Sequence, residues 1–126
     1  MRKLTIRTVS ALFAVALASL AIAQLASART DRQARATATS VQVKGGEFFF
    51  RLSTKSAKKP GKVTFVFKNI GNVAHDFKIN GKTTSLLQPG KTARLIVTLK
   101  KKGKFPYLCT VPGHAAAGMR GTFTVR

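Results

Sequence analysis

The stretch YLCTVPGHAAAGMRG, Tyr107 to Gly121, brings Cys109, His114 and Met119 together, and one further histidine, His75, stands upstream in NVAHDFKIN. Apart from Met1 the chain has no other cysteine, histidine or methionine. Taken singly, each has an ordinary use: a lone cysteine is a small buried hydrophobe and a lone methionine a filler of core gaps. Their arrangement argues for more. Phe105, Tyr107 and Cys109 alternate along one strand face, so Cys109 ends an inward-facing column. Pro112-Gly113 then turns the chain back, His114 follows at once, and Met119 arrives as the last strand begins. One strand-to-strand loop thereby presents a thiolate, an imidazole nitrogen and a thioether to a single point, with His75 at the start of another inward face. Two His, one Cys and a weak axial Met are the trigonal set of electron-transfer copper: the sulfur ligands suit Cu(I) and imidazole suits both oxidation states. Zinc prefers a closed tetrahedral set of thiolates and imidazoles. An iron–sulfur cluster needs more thiolates. Copper fits best.

The elements that must position these groups read as strands. From Val41 to Arg126 short runs rich in β-branched and aromatic residues are separated by turn signals, with no convincing helical period. KVTFVFKN puts Val63, Phe65 and Phe67 on one face, and AHDFKIN puts His75, Phe77 and Ile79 on one face with Asp76 and Lys78 opposite. Asn80-Gly81 signals a two-residue hairpin, and Gln88-Pro89-Gly90-Lys91 suits a type II turn. Further strands are expected in EFFFRLS, TARLIVTLK, KFPYLC and GTFTVR. An antiparallel sandwich or barrel follows. A single helical turn is expected in HAAAGM, ended by Gly118.

YLCTVPGHAAAGMRGTFTV together with NVAHDFKIN resembles the type 1 (blue) copper proteins, the cupredoxins, and the resemblance covers most of residues 41–126. It implies an all-β Greek-key sandwich of about eight strands holding one copper at its end. It also implies that His75, Cys109 and His114 are equatorial ligands and Met119 the weak axial one. The Cys-to-His spacing is azurin-like and the His-to-Met spacing plastocyanin-like; together they look most like the rusticyanin and sulfocyanin branch. With Cys109 alone, azurin's disulfide is excluded. In relatives the residue after the upstream histidine helps hold the cysteine loop, a part open here to Asp76 with Thr110, although Asp76 also reads as a surface charge. One copper with no spare histidine does not build the multi-copper centres of oxidases, so a one-electron carrier rather than an enzyme is expected. The alternative is a periplasmic copper-handling protein without redox turnover.

The start of the chain resembles a secretory signal. Arg2, Lys3 and Arg7 precede the apolar run Val9–Ala23, and small residues offer cleavage after Ala23 or Ala28. An uncleaved membrane anchor is the rival reading. The expected organisation is a signal over residues 1–28, a flexible linker over 29–40 and the copper domain over 41–126, in an exported, periplasmic or extracytoplasmic protein. Charge is lopsided, with 23 Lys and Arg against 3 Asp and Glu, a formal +20 in 126 residues. Removing Arg2, Lys3 and Arg7 with the signal lowers this from +20 to +17. Such a chain is drawn to acidic partners: an acidic redox protein such as a cytochrome or terminal oxidase, and an anionic membrane or wall surface. No recognisable nucleic-acid module is present, so a specific nucleic-acid role is set aside. A monomer is expected.

Overall fold

The computed structural model describes residues 39–126, and the expected signal peptide and most of the expected linker lie outside them. Nine strands follow one another: β1 (Thr39–Gly46), β2 (Phe49–Leu52), β3 (Ser56–Ala57), β4 (Gly61–Asn69), β5 (Lys78–Ile79), β6 (Lys82–Thr83), β7 (Thr92–Leu99), β8 (Gly103–Leu108) and β9 (Arg120–Val125). They form two sheets, β2-β1-β4-β7 and β3-β9-β8-β5-β6, parallel only between β1 and β4 and between β3 and β9. This is the all-β sandwich expected from the sequence. Strand β1 includes Thr39 and Ser40, two residues earlier than the boundary placed at Val41, because both pair in register with Val63 and Thr64.

Alternation builds the core. Val63, Phe65 and Phe67 of β4 are buried, as are Val41 and Val43 of β1, Leu95, Val97 and Leu99 of β7, and Phe123 and Val125 of β9. Their rings interlock: Phe65 meets Phe77 and Phe123 with centroids 5.3 Å apart in each case, and Phe50 packs edge-on to Phe77 at 5.2 Å. Edge-to-face pairs add specific geometry to what burial alone provides. The hairpin joining β5 and β6 turns on Asn80 and Gly81, both with positive φ, as that dipeptide demands. Lys91 N donates to Gln88 O at 3.1 Å, closing the other predicted turn.

The segment between β4 and β5 carries His75, and a buried amide holds it. Asn69 Nδ2 donates to the carbonyls of Val73 and Leu87, each at 2.8 Å, while its Oδ1 accepts from Gly71 N at 2.9 Å. Leu87 in turn exchanges backbone hydrogen bonds with His75. Truncating Asn69 to alanine removes these three hydrogen bonds, each worth about 1 kcal/mol net, while Leu87 O keeps its bond from His75 N. We expect Asn69→Ala to destabilise the metal-free protein by about 3 kcal/mol in total, read as a fall in the urea midpoint at unchanged slope.

Candidate metal centre

Three of the four predicted residues meet at one end of the sandwich. His75, Cys109 and His114 offer ligand atoms that all lie within 4.8 Å of one another. His75 Nδ1 and His114 Nδ1 are 3.1 Å apart, and Cys109 Sγ stands 4.0 Å from the first and 3.6 Å from the second. His75, Cys109 and Met119 are buried, whereas His114 is half-buried, with the ring of Phe48 edge-on to it at 4.9 Å. Met119 is fully buried and tied to both loop partners through its backbone: Cys109 N donates to Met119 O at 3.1 Å, and Met119 N donates to His114 O at 3.0 Å.

Local sequence explains the convergence. Phe105, Tyr107 and Cys109 are buried in succession, the column expected from their alternation. His114 N donates to Val111 O at 3.1 Å across Pro112 and Gly113, whose φ of 84° suits glycine at the third position of a type II turn. The chain then makes one helical turn through the alanines and stops. Gly118 N reaches back to Ala115 O and Met119 N to His114 O, the paired bonds of a Schellman closure with glycine at the positive-φ position. That is the short turn expected in HAAAGM; it does not extend into a helix.

Asp76 does not behave as a surface charge. It is buried, its Oδ1 accepts from Thr110 N at 2.6 Å, and its Oδ2 accepts from the Thr110 hydroxyl. The residue after one histidine therefore clamps the residue after the cysteine. Burial pushes the Cys109 thiol above its ordinary value, so the metal-free site holds a proton there that a metal ion must displace.

Glu47 has no neighbouring motif to mark it as part of this centre, yet it belongs there. Its Oε1 accepts from Asn72 N at 2.8 Å and Val73 N at 3.0 Å, and lies 3.0 Å from His75 Nε2. A Cβ on Gly71 would collide with that carboxylate, so glycine is what allows the approach. The backbone N–H of Val73, then the imidazole of His75, hold the Glu47 carboxyl down from its ordinary 4.5 to about 2. An ionised carboxylate only accepts, so it places the His75 proton on Nε2 and leaves Nδ1 with a lone pair facing the cluster. Because the folded value is depressed, Glu47 contributes stability that is present above pH 4.5 and is lost as the pH falls toward about 2. Chemical denaturation of the metal-free protein should show that loss, and Glu47→Gln should flatten this part of the pH dependence.

The donor set suits copper. Two imidazole nitrogens and a thiol converge with the buried Met119 tied between them, and no carboxylate is among the converging atoms. Residues 29–126 match the family model for copper binding proteins of the plastocyanin/azurin family. The copper-resistant cuproprotein CopI of Pseudomonas aeruginosa is 24% identical over 144 residues, spanning 75% of this chain and 80% of the relative. Among solved structures, auracyanin from Roseiflexus castenholzii has a TM-score of 0.61 at 22% identity, covering 70% of this chain and 97% of that one. Rusticyanin from Thiobacillus ferrooxidans gives 0.58 at 22% identity, covering 71% of this chain and 78% of that one. At these identities the structural likeness speaks for the fold alone.

Proposed function

The chain belongs to the plastocyanin/azurin family of copper-binding proteins, and we propose that it is an exported mononuclear blue copper protein carrying one electron at a time between redox partners. The observation that carries this reading is the buried meeting of His75 Nδ1, His114 Nδ1 and Cys109 Sγ, with Met119 fixed beside them. His75, Cys109, His114 and Met119 would hold the ion, and copper bound there would supply a one-electron couple. The protein's own part is to keep the donors in place. Asp76 pins Thr110, Glu47 orients His75, and the Schellman closure sets the distance from His114 to Met119. Donors held in this way have little to rearrange when the charge changes.

His114 is the one donor residue that is half-exposed, and the side chains around it are apolar or small: Phe48, Val111, Pro112 and the alanines 115–117. A partner can approach this surface closely without displacing charged groups. The exposed Lys44, Lys68, Lys91 and Arg120, which lie toward this end, would steer an acidic redox protein to it, at a rate that falls as salt rises. No histidine remains for a second metal, which supports a carrier rather than an enzyme.

A second reading, periplasmic copper handling without redox turnover, gains from the relative named as a copper-resistant cuproprotein. Two measurements separate them. A carrier exchanges electrons rapidly and reversibly with a cytochrome and keeps its copper when mixed with a metal-free acceptor. Fast loss of copper to the acceptor, with no electron exchange, would favour handling.

A further inference from the structure

The two acidic residues among those described, Glu47 and Asp76, are both committed to the metal centre, and the one side-chain contact at salt-bridge distance is between Glu47 and the ring of His75. Every lysine and arginine of the described domain therefore stands without an acidic partner. Strand register gathers many of them at the end opposite the metal. Gly61 pairs with Leu99, which brings Lys62 beside the turn Lys100–Lys102. Ala57, which precedes Lys58 and Lys59, pairs with Val125, itself opposite Gly103 at the close of that same turn. All six lysines are exposed. The large exposed apolar side chains lie elsewhere: Phe48, Ile70, Val73 and Leu86 at or near the metal end and Ile96 on the face of β7. Thr39, through which the preceding chain enters the domain, is opposite Val63 at this lysine-bearing end.

We propose that this end docks on an anionic phospholipid bilayer, held by charge, so that the metal centre faces away from the membrane toward its partners. Like charges crowded at one end, with no acidic side chain among them, are an unfavourable arrangement for the isolated domain that a negative surface relieves. The cations form a cap rather than a track along a groove, and no aromatic side chains are interleaved among Lys58–Lys62 or Lys100–Lys102. Both features suit a broad charged plane better than a threaded polymer. The preceding segment, with Arg29, Arg32 and Arg35 and an apolar run before them, joins the domain at the same end. The inference does not depend on which metal, or which redox role, the other end serves.

Vesicle partitioning of the full exported chain tests it, with phosphatidylcholine vesicles containing about one-third phosphatidylglycerol. Neutralising Lys100, Lys101 and Lys102 to glutamine is expected to weaken partitioning roughly a hundredfold, from the usual contribution of each lysine near such a surface. The charge-matched triple Lys44→Gln, Lys68→Gln, Lys91→Gln, at the metal-proximal parts of β1 and β4 and just before β7, should weaken it by less than about tenfold. Raising the salt concentration should release the wild-type protein. Equal losses in the two triples, or equal binding to pure phosphatidylcholine vesicles, overturn the proposal. So does binding of soluble polyphosphate that depends on Lys100–Lys102 without any partitioning to vesicles, which would assign the face to a polymer.

Discussion

Replacing Cys109 by serine should abolish the intense visible absorption of the copper-loaded protein and weaken its hold on copper by roughly a hundred- to a thousandfold. Cys109 is the one thiol in the chain and its sulfur sits within 4.0 Å of both ring nitrogens. The absorption of a blue site comes from charge transfer out of a thiolate, which a serine oxygen does not reproduce. The affinity estimate takes the binding free energy of a structural zinc site, on the order of 10–16 kcal/mol, as a guide and shares it among four donors, so that one of them carries about a quarter. The fold should survive, because serine is slightly smaller and the loop remains tied by Cys109 N to Met119 O and by Thr110 to Asp76. Absorption spectroscopy with Cu(II), competition against a chelator, and circular dichroism of the metal-free variant make the comparison. A variant that stays intensely blue would falsify the assignment of Cys109 as a ligand.

Why the centre was legible in advance, and where it was not, depends on how far each signal travels along the chain. The ligand loop is local: Cys109, the Pro112-Gly113 turn, His114, the alanine turn and Met119 follow one another, and turn chemistry alone brings them round. His75 needed a second clue, its place on an inward face with Phe77 and Ile79, and both of those residues are buried beside it. The strands β4 and β7 announce themselves by alternation, whereas β3, β5 and β6 are two residues each and too short to carry a period. Asn69 and Glu47 are different. Each acts on backbone groups or side chains that the fold, not the local sequence, places nearby; Glu47 is 28 positions from His75. The one signal that could have found Glu47 is global. A chain with 3 acidic residues among 23 basic ones has little general use for a carboxylate, and both that lie in the described domain serve this centre.

Glu47→Gln should raise the reduction potential of the copper-loaded protein while leaving it blue. Glutamine keeps the shape and an oxygen that accepts from Asn72 N, Val73 N and His75 Nε2, so the orientation of the ring is preserved and only the charge is removed. That charge acts through the imidazole. A carboxylate accepting the Nε2 proton makes Nδ1 a stronger donor, and a stronger, more negative donor set favours the higher oxidation state over the lower. Such partners typically change metal affinity by 10–100-fold. Glu47 is partly exposed, with its side chain 29% accessible, so solvent screens it and the smaller figure applies. A tenfold loss in preference for the oxidised over the reduced ion is a rise of about 59 mV for a one-electron couple. Redox titration followed at the visible band measures the shift directly. If Glu47 merely braced the loop, glutamine would leave the potential where it was, and Glu47→Ala would lower stability without a matching change in potential between the two variants. A rise shared by both substitutions, with the blue band retained in the glutamine variant, identifies the carboxylate's charge, rather than its packing, as what His75 responds to.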